Sequence, residues 1–131
     1  MDLLKVEEIF YTLVKDNISQ EIKTKYTDLQ ISTDPKDIDE AKFPTIFIQT
    51  LECAEVNPTL TNDGISGIRA NFQIDVYTTE KVDGKEVANE VIRVLKSLAF
   101  YINAMPYTMF ANGTYRTIIR CNRVIGSEDV L

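Results

Sequence analysis

The sequence predicts one α+β domain over residues 1–131, in which a single antiparallel or mixed β-sheet is covered on one face by two amphipathic helices. Three patterns predict it: an apolar stripe at helical spacing in the first eighteen residues, a strict alternation from Ile68 to Tyr77, and a second helical stripe from Val87 to Ile102. A chain of 131 residues has room for one hydrophobic core. The 44% of residues that are hydrophobic are enough to form it.

The predicted elements follow one another in the order helix, strand, strand, strand, helix, strand, strand. After the first helix, a short alternation at Asp28–Ser32 predicts a strand, and the β-branched run Thr45–Ala54 predicts a central one. A polar, acidic connection at Thr33–Pro44 separates these two strands. The residues from Glu55 to Gly67, rich in Asn, Asp, Pro and Gly, predict an irregular loop.

The strand from Ile68 to Tyr77 shows the clearest period of two in the chain. Its apolar members are predicted to be buried: Ile68, Ala70, Phe72, Ile74 and Val76. The odd-numbered residues, from Arg69 to Tyr77, are predicted to face solvent or a partner.

The second helix and a final hairpin complete the prediction. Asp83-Gly84 predicts a turn into the helix, and Pro106 predicts that the helix ends near Asn103. Asn112-Gly113 predicts a type I′ turn between strands at 107–110 and 114–125. That turn would place two pairs opposite each other, Phe110 with Tyr115 and Thr108 with Thr117.

The composition argues against chemistry and against nucleic acid. The chain has no histidine, which removes the Ser-His-Asp and Cys-His nucleophile arrangements. Its 14 basic and 20 acidic side chains give a net charge of −6, which argues against sequence-specific binding of nucleic acid. An enzyme would have to use Cys53, Cys121 or Asp75, and the sequence predicts these as two buried free thiols and one outward-facing carboxylate. We therefore expect no catalytic residues, no metal site and no cofactor. No stretch approaches the roughly 18 uncharged apolar residues of a membrane helix, so we expect no membrane partner.

Charge is distributed unevenly along the chain. Residues 1–63 hold 6 basic and 13 acidic side chains, whereas residues 64–131 hold 8 and 7. One interpretation is chance segregation on a solvated surface. The other is an acidic and a basic surface on one domain, which would suit head-to-tail contact between identical copies. On that interpretation the candidate subunit-interface residues are Asp34, Asp37, Asp39, Glu40, Arg116, Arg120 and Arg123.

Several segments together resemble the tail terminator (tail completion) family of long-tailed bacteriophages and related phage-like particles. The segments are Phe43-Pro44-Thr45-Ile46-Phe47-Ile48, the loop 57–67, the strand Phe72–Thr78, the helix from Ala88 to Leu98, and the closing strand Tyr115–Val124. The resemblance spans about residues 43–125, and neighbouring neck proteins of phage particles have similar sizes and sequence patterns.

The resemblance implies a structural role in the virion. Such proteins form a hexameric ring that caps the tail tube, ends its polymerisation and docks the head connector. The implied partners are copies of the chain itself, the tail tube protein, neck or connector proteins, and the sheath where the tail is contractile. Assembly would take place in the cytoplasm of the bacterial host. The candidate contact with tube or neck is the long loop, through Asn57, Thr59, Thr61, Asn62, Asp63 and Ile65.

Two other functions stay open at this point. One is a head-completion or connector protein of the neck. The other is a non-viral cytosolic adaptor that binds proteins, which would be a monomer with an exposed apolar groove.

Overall fold

The computed structural model describes residues 5–35, 42–56 and 67–126, in which three helices and six strands are found. The helices are α1 (Val6–Asn17), α2 (Gln20–Lys25) and α3 (Lys81–Ser97). The strands are β1 (Gln30–Ser32), β2 (Thr45–Val56), β3 (Gly67–Thr78), β4 (Tyr101–Ile102), β5 (Tyr107–Ala111) and β6 (Thr114–Gly126). This arrangement confirms the predicted α+β fold.

The six strands form one mixed sheet. Its order is β1-β2-β3-β6, and β4 and β5 both pair with the edge of β6 that faces away from β3. β1 runs parallel to β2, and all the other pairs are antiparallel. The sheet is therefore of the mixed type that the sequence allowed.

Both long helices pack on the same face of the sheet, as predicted. Phe10 of α1 stacks on Phe72 of β3, with ring centroids 3.8 Å apart and planes within 4° of parallel. Phe100, just after α3, meets both rings at an angle. The three rings are almost completely buried and form the centre of the core.

The alternation predicted for β3 is confirmed on its apolar side. Ile68, Ala70, Phe72, Ile74 and Val76 are buried in the helix-covered core. The opposite side is less open than predicted, because Gln73 and Asp75 are also buried there. No described helix covers this face, which we call the helix-free face, and yet two of its polar residues are buried.

The predicted final hairpin is also confirmed. Asn112 and Gly113 have φ angles of 55° and 76°, as a type I′ turn requires. Phe110 lies opposite Tyr115, and Thr108 lies opposite Thr117. The two threonine hydroxyls are 3.1 Å apart and share a hydrogen bond.

The prediction that the second helix ends near Asn103 is wrong, since α3 ends at Ser97 and Ile102 belongs to β4. Ala99 adopts a φ of 63°, and the N–H of Phe100 donates to the carbonyl of Leu95 at 2.9 Å. This is the Schellman arrangement, which usually has glycine at the left-handed position. Because alanine occupies this position at residue 99, the sequence does not indicate that the helix ends here.

Other parts of the secondary structure also differ from the prediction: β4 was not expected, and β1 begins at Gln30 instead of Asp28. α2 was not expected; it begins after Ser19, whose hydroxyl caps it by accepting from the N–H of Ile22. Asp83-Gly84 lies inside the first turns of α3 instead of before the helix. Gly84 is needed there because a Cβ at this position would lie 2.9 Å from Oγ1 of Thr78. β2 extends two residues into the expected loop, of which residues 57–66 lie outside the described ranges.

Glu90 of α3 ties the helix layer together. Its carboxylate accepts hydrogen bonds from the backbone N–H of Ser19 at 2.6 Å and from Nε of Arg93 at 2.6 Å. Arg93 also donates to the carbonyl of Asn17, so the pair spans the junction between α1 and α2. The hydrogen bond from Arg93 lowers the pKa of Glu90 to about 2, although burial opposes the shift.

A pH-dependent contribution to stability follows from Glu90. Because its pKa is lower in the folded chain than the ordinary value of 4.5, the contribution is complete above about pH 4.5 and is lost as the pH falls towards 2. Glu90→Gln should lower the free energy of unfolding by about 1 kcal/mol at pH 7, a modest value because Arg93 is half exposed. The difference from wild type should disappear near pH 2. Urea unfolding at several pH values measures it.

Glu86→Gln is the matched control, because Glu86 lies on the same helix and pairs with exposed Lys25. We expect a change below about 0.5 kcal/mol for this variant. Equal effects of the two variants at every pH would contradict the role given to Glu90.

Candidate interaction surface

The helix-free face of the sheet carries a polar network across its three central strands. Gln49 of β2, Gln73 and Asp75 of β3, and Arg116 and Arg120 of β6 lie on this face, opposite to the core residues that alternate with them. The pairing places Gln49 beside Gln73, and Gln73 beside Arg120. Residues far apart in the sequence are therefore brought into one cluster.

Asp75 is the centre of this network and is completely buried. Its carboxylate accepts hydrogen bonds from Nε2 of Gln49 at 2.7 Å, Nε2 of Gln73 at 3.1 Å and Nη2 of Arg116 at 2.7 Å. A buried carboxylate is stable only when it is paired and hydrogen-bonded, and these three donors meet that need. The arrangement links three strands, and each carboxylate oxygen of Asp75 accepts at least one hydrogen bond.

Arg116 is held in place from several sides. Its guanidinium forms the ion pair with Asp75 and lies 5.8 Å from the centroid of the Tyr77 ring. Burial lowers the pKa of Arg116, the hydrogen bond and charge of Asp75 raise it, and the net shift is upward. Arg120, further along β6, donates from Nε to Oε1 of Gln73 at 3.0 Å and remains exposed.

A pocket of about 320 Å³ opens next to this network. Most of its lining comes from large apolar or aromatic side chains, and the rest is small or polar. The lining residues are Phe43, Tyr77, Met109, Ala111, Asn112, Thr114 and Arg116. Because the charge of Arg116 is already matched by Asp75, the pocket has little excess charge to attract an anion. It is better suited to an uncharged apolar group than to a phosphate or carboxylate.

The structure locates four of the seven candidate subunit-interface residues. Arg116 and Arg120 share the helix-free face, whereas Arg123 lies on the other face and donates to the carbonyl of Leu98, as the period of two predicts. Asp34 is exposed, and its N–H donates to the hydroxyl of Ser32 at 3.0 Å. These residues are not brought into one cluster. The remaining three lie outside the described ranges: Asp37, Asp39 and Glu40.

The candidate contact loop also lies outside the described ranges, since all six of its residues fall between 57 and 66. Whether this loop contacts a tube or a neck protein stays a prediction.

The two thiols have raised pKa values. Burial raises the pKa of Cys121 to about 12, and burial also raises the pKa of Cys53. Both thiols therefore stay protonated near neutral pH, whereas a cysteine nucleophile reacts as the thiolate. Within residues 5–35, 42–56 and 67–126, no three metal-ligating side chains come together, and no helix is long and apolar enough to cross a membrane.

The sequence did not predict the pairing of Asp75 with Arg116. Asp75 was placed on the correct face but was expected to be exposed, and Arg116 was assigned to a subunit interface. The alternation within β3 and β6 predicts the face on which each residue lies. The partner of Asp75 across the sheet depends on the register of β3 against β6, and Arg116 is 41 residues away from Asp75 in the sequence.

No protein-family model matches the sequence, and no match was found among curated proteins.

Proposed function

We propose that this chain is a structural protein of a phage tail–neck junction that assembles head to tail with copies of itself into a ring on the end of the tail tube. The sequence segments that resemble the tail terminator family support the proposal. So does the α+β fold, which agrees with the fold that the resemblance implies.

The observation that carries the proposal is the apolar outer edge of strand β5, on the side away from β6. All five of its residues are exposed, and Tyr107, Met109 and Phe110 are large and apolar. No other described strand pairs with it on the side away from β6. Proteins that remain monomeric protect such edges with charge, proline or a covering element. An edge that is uncharged and uncovered by any described element is suited to a subunit contact.

The direct test combines the purified protein with isolated tail tubes and with polymerising tube protein. We expect assemblies that are multiples of the 14.9 kDa chain in native mass spectrometry, extra density at one tube end in negative-stain images, and shorter tubes when the chain is present during polymerisation. Shortening the loop 57–66 should leave the assemblies intact and impair capping. A protein that stays monomeric alone and on tube ends contradicts the proposal.

The pocket beside Phe43 and Met109 favours a second candidate, an adaptor that binds an apolar segment of another protein. An adaptor would be monomeric at all concentrations and would leave tube length unchanged. The mass measurement therefore separates the two functions.

A further inference from the structure

The described sheet has two edges that could pair with another chain. One is β5, whose partner on the inner side is β6. The other is β2, because β1 covers only Thr45–Phe47 and no described strand covers the stretch from Ile48 to Ala54. β2 runs parallel to β6, and β5 runs antiparallel to β6. A second copy added so that the sheet continues would therefore align its β2 antiparallel to β5, the more stable kind of pair.

The backbone of β5 offers donors at defined positions. In a two-residue hairpin the closing pair, here Ala111 and Thr114, is hydrogen-bonded, and hydrogen-bonded pairs alternate along the ladder. Met109 therefore bonds to β6, whereas the N–H groups of Thr108 and Phe110 point away from the sheet. These two groups are available to an added strand.

The two edges differ in charge and in shape. The β2 edge has a bulge in which Leu51 is the extra residue, 48% exposed. It is followed by exposed Glu52, and Glu7 of α1 contacts Thr50 beside it. The β5 edge carries no charge of its own. Arg116 lies on β6 opposite Met109, and Arg120 lies two residues beyond the stretch of β6 that β5 pairs with. The β2 edge thus carries an exposed apolar and an exposed acidic side chain, and the β5 edge lies near the basic side chain of Arg120, which bonds to a neutral amide.

In a contact between two copies, the pocket of about 320 Å³ would belong to the copy that contributes β5. Met109 and Ala111 contribute to its lining, together with Phe43. Side chains of a strand added to β5 would alternate between the two faces of the sheet, and those on the helix-free face would reach the pocket. Leu51 of a second copy has the size and character for that position. The bulge interrupts the alternation and leaves Glu52 on the same face as Leu51, because Glu52 lies opposite Asn71 of β3.

We propose that β5 of one copy pairs edge to edge with residues 48–54 of β2 of the next copy, with Leu51 seated in the pocket beside Met109 and Glu52 near Arg120. This inference rests on the proposed self-assembly and names the surfaces that perform it. Main-chain hydrogen bonds and apolar burial supply the affinity, and the charges set which edges meet. The contact is heterologous: each copy uses its β5 edge for one neighbour and its β2 edge for the other.

The test blocks one edge at a time in the full chain. Phe110→Pro removes an outward N–H of β5, and its matched control Phe110→Ala removes the same ring but keeps the N–H. We expect Phe110→Pro to weaken self-association at least ~10-fold more than Phe110→Ala. Leu51→Asp should block the β2 edge to a similar degree. Circular dichroism and thermal unfolding verify that each variant is folded.

Mixing the blocked variants gives the decisive result. The Phe110→Pro chain keeps its β2 edge, and the Leu51→Asp chain keeps its β5 edge. Each should be monomeric alone, and a mixture with one variant isotope-labelled should give 1:1 heterodimers and nothing larger in native mass spectrometry. A folded Phe110→Pro chain that assembles like Phe110→Ala, or a mixture without heterodimers, overturns the inference.

A charge exchange tests the orientation. Glu52→Arg and Arg120→Glu should each weaken association, and the double variant should recover part of it. Lys85→Glu on the outer side of α3 is the matched control for the change of charge and should have no effect. If the wild-type chain assembles and caps tubes while the edge variants behave normally, this interface is wrong and the proposed function stands. If the wild type neither assembles nor caps, both are wrong.

Discussion

Replacing Phe72 with alanine should lower the free energy of unfolding by about 3–5 kcal/mol, the largest loss we expect from one side chain of the core. Phe72 is completely buried and stacks on Phe10. Removing its ring leaves a cavity in the centre of β3, with strands on both sides that cannot collapse into it. Urea or thermal unfolding followed by circular dichroism measures the change.

Phe110→Ala is the matched control, because the same atoms are removed from a ring that is 61% exposed. Its contact with Tyr115 across the hairpin is worth only about 0.5–1 kcal/mol. If Phe72→Ala were no more destabilising than Phe110→Ala, the stacking of α1 on β3 described above would be wrong.

Arg116→Met should also destabilise the chain by about 2–3 kcal/mol, because it leaves the buried carboxylate of Asp75 without its counter-charge. The loss is smaller than for a fully buried pair because the Arg116 side chain is 37% exposed. The size of the effect comes from the unpaired charge and not from the ion pair as such. Adding Asp75→Asn to Arg116→Met should therefore recover part of the stability, since the buried charge is then gone. A double-mutant cycle of the two substitutions in urea measures this coupling.

Arg120→Met is the control on the same strand and the same face. Arg120 is exposed and bonds to a neutral amide, so we expect a loss below about 1 kcal/mol. Similar losses for Arg116→Met and Arg120→Met would show that Asp75 does not depend on Arg116. The result also bears on interface experiments, because reversing the charge of Arg116 would damage the fold before it tested any contact.

Much of the fold could be predicted from the sequence because its signals are local. The period of two from Ile68 to Val76 and the Asn112-Gly113 turn each depend on neighbouring residues, and both were predicted correctly. The end of α3 was missed because Ala99 holds a conformation that usually calls for glycine. Packing of Phe100 against the core supports that conformation, and packing is not visible in the sequence.

The candidate site was predicted only in part, for a different physical reason. The faces of Arg116, Arg120 and Arg123 follow from alternation within one strand. The partner of Arg116 depends on how β6 is aligned against β3, and this alignment is set by the whole sheet. The unpaired edge of β5 likewise follows from the strand order, which a list of predicted strands does not contain.

The position of β6 beside β3 also determines how the chain can fold. β5 and β6 are neighbours in sequence and can form their hairpin early, since closing a short loop loses little entropy. The pair of β3 and β6, by contrast, joins residues 67–78 to 114–126 across α3, β4 and β5. This distant pair lies in the middle of the sheet and completes the surface on which α1 and α3 rest. Folding should therefore be one slow, cooperative step in which the central pair and the helix layer form together.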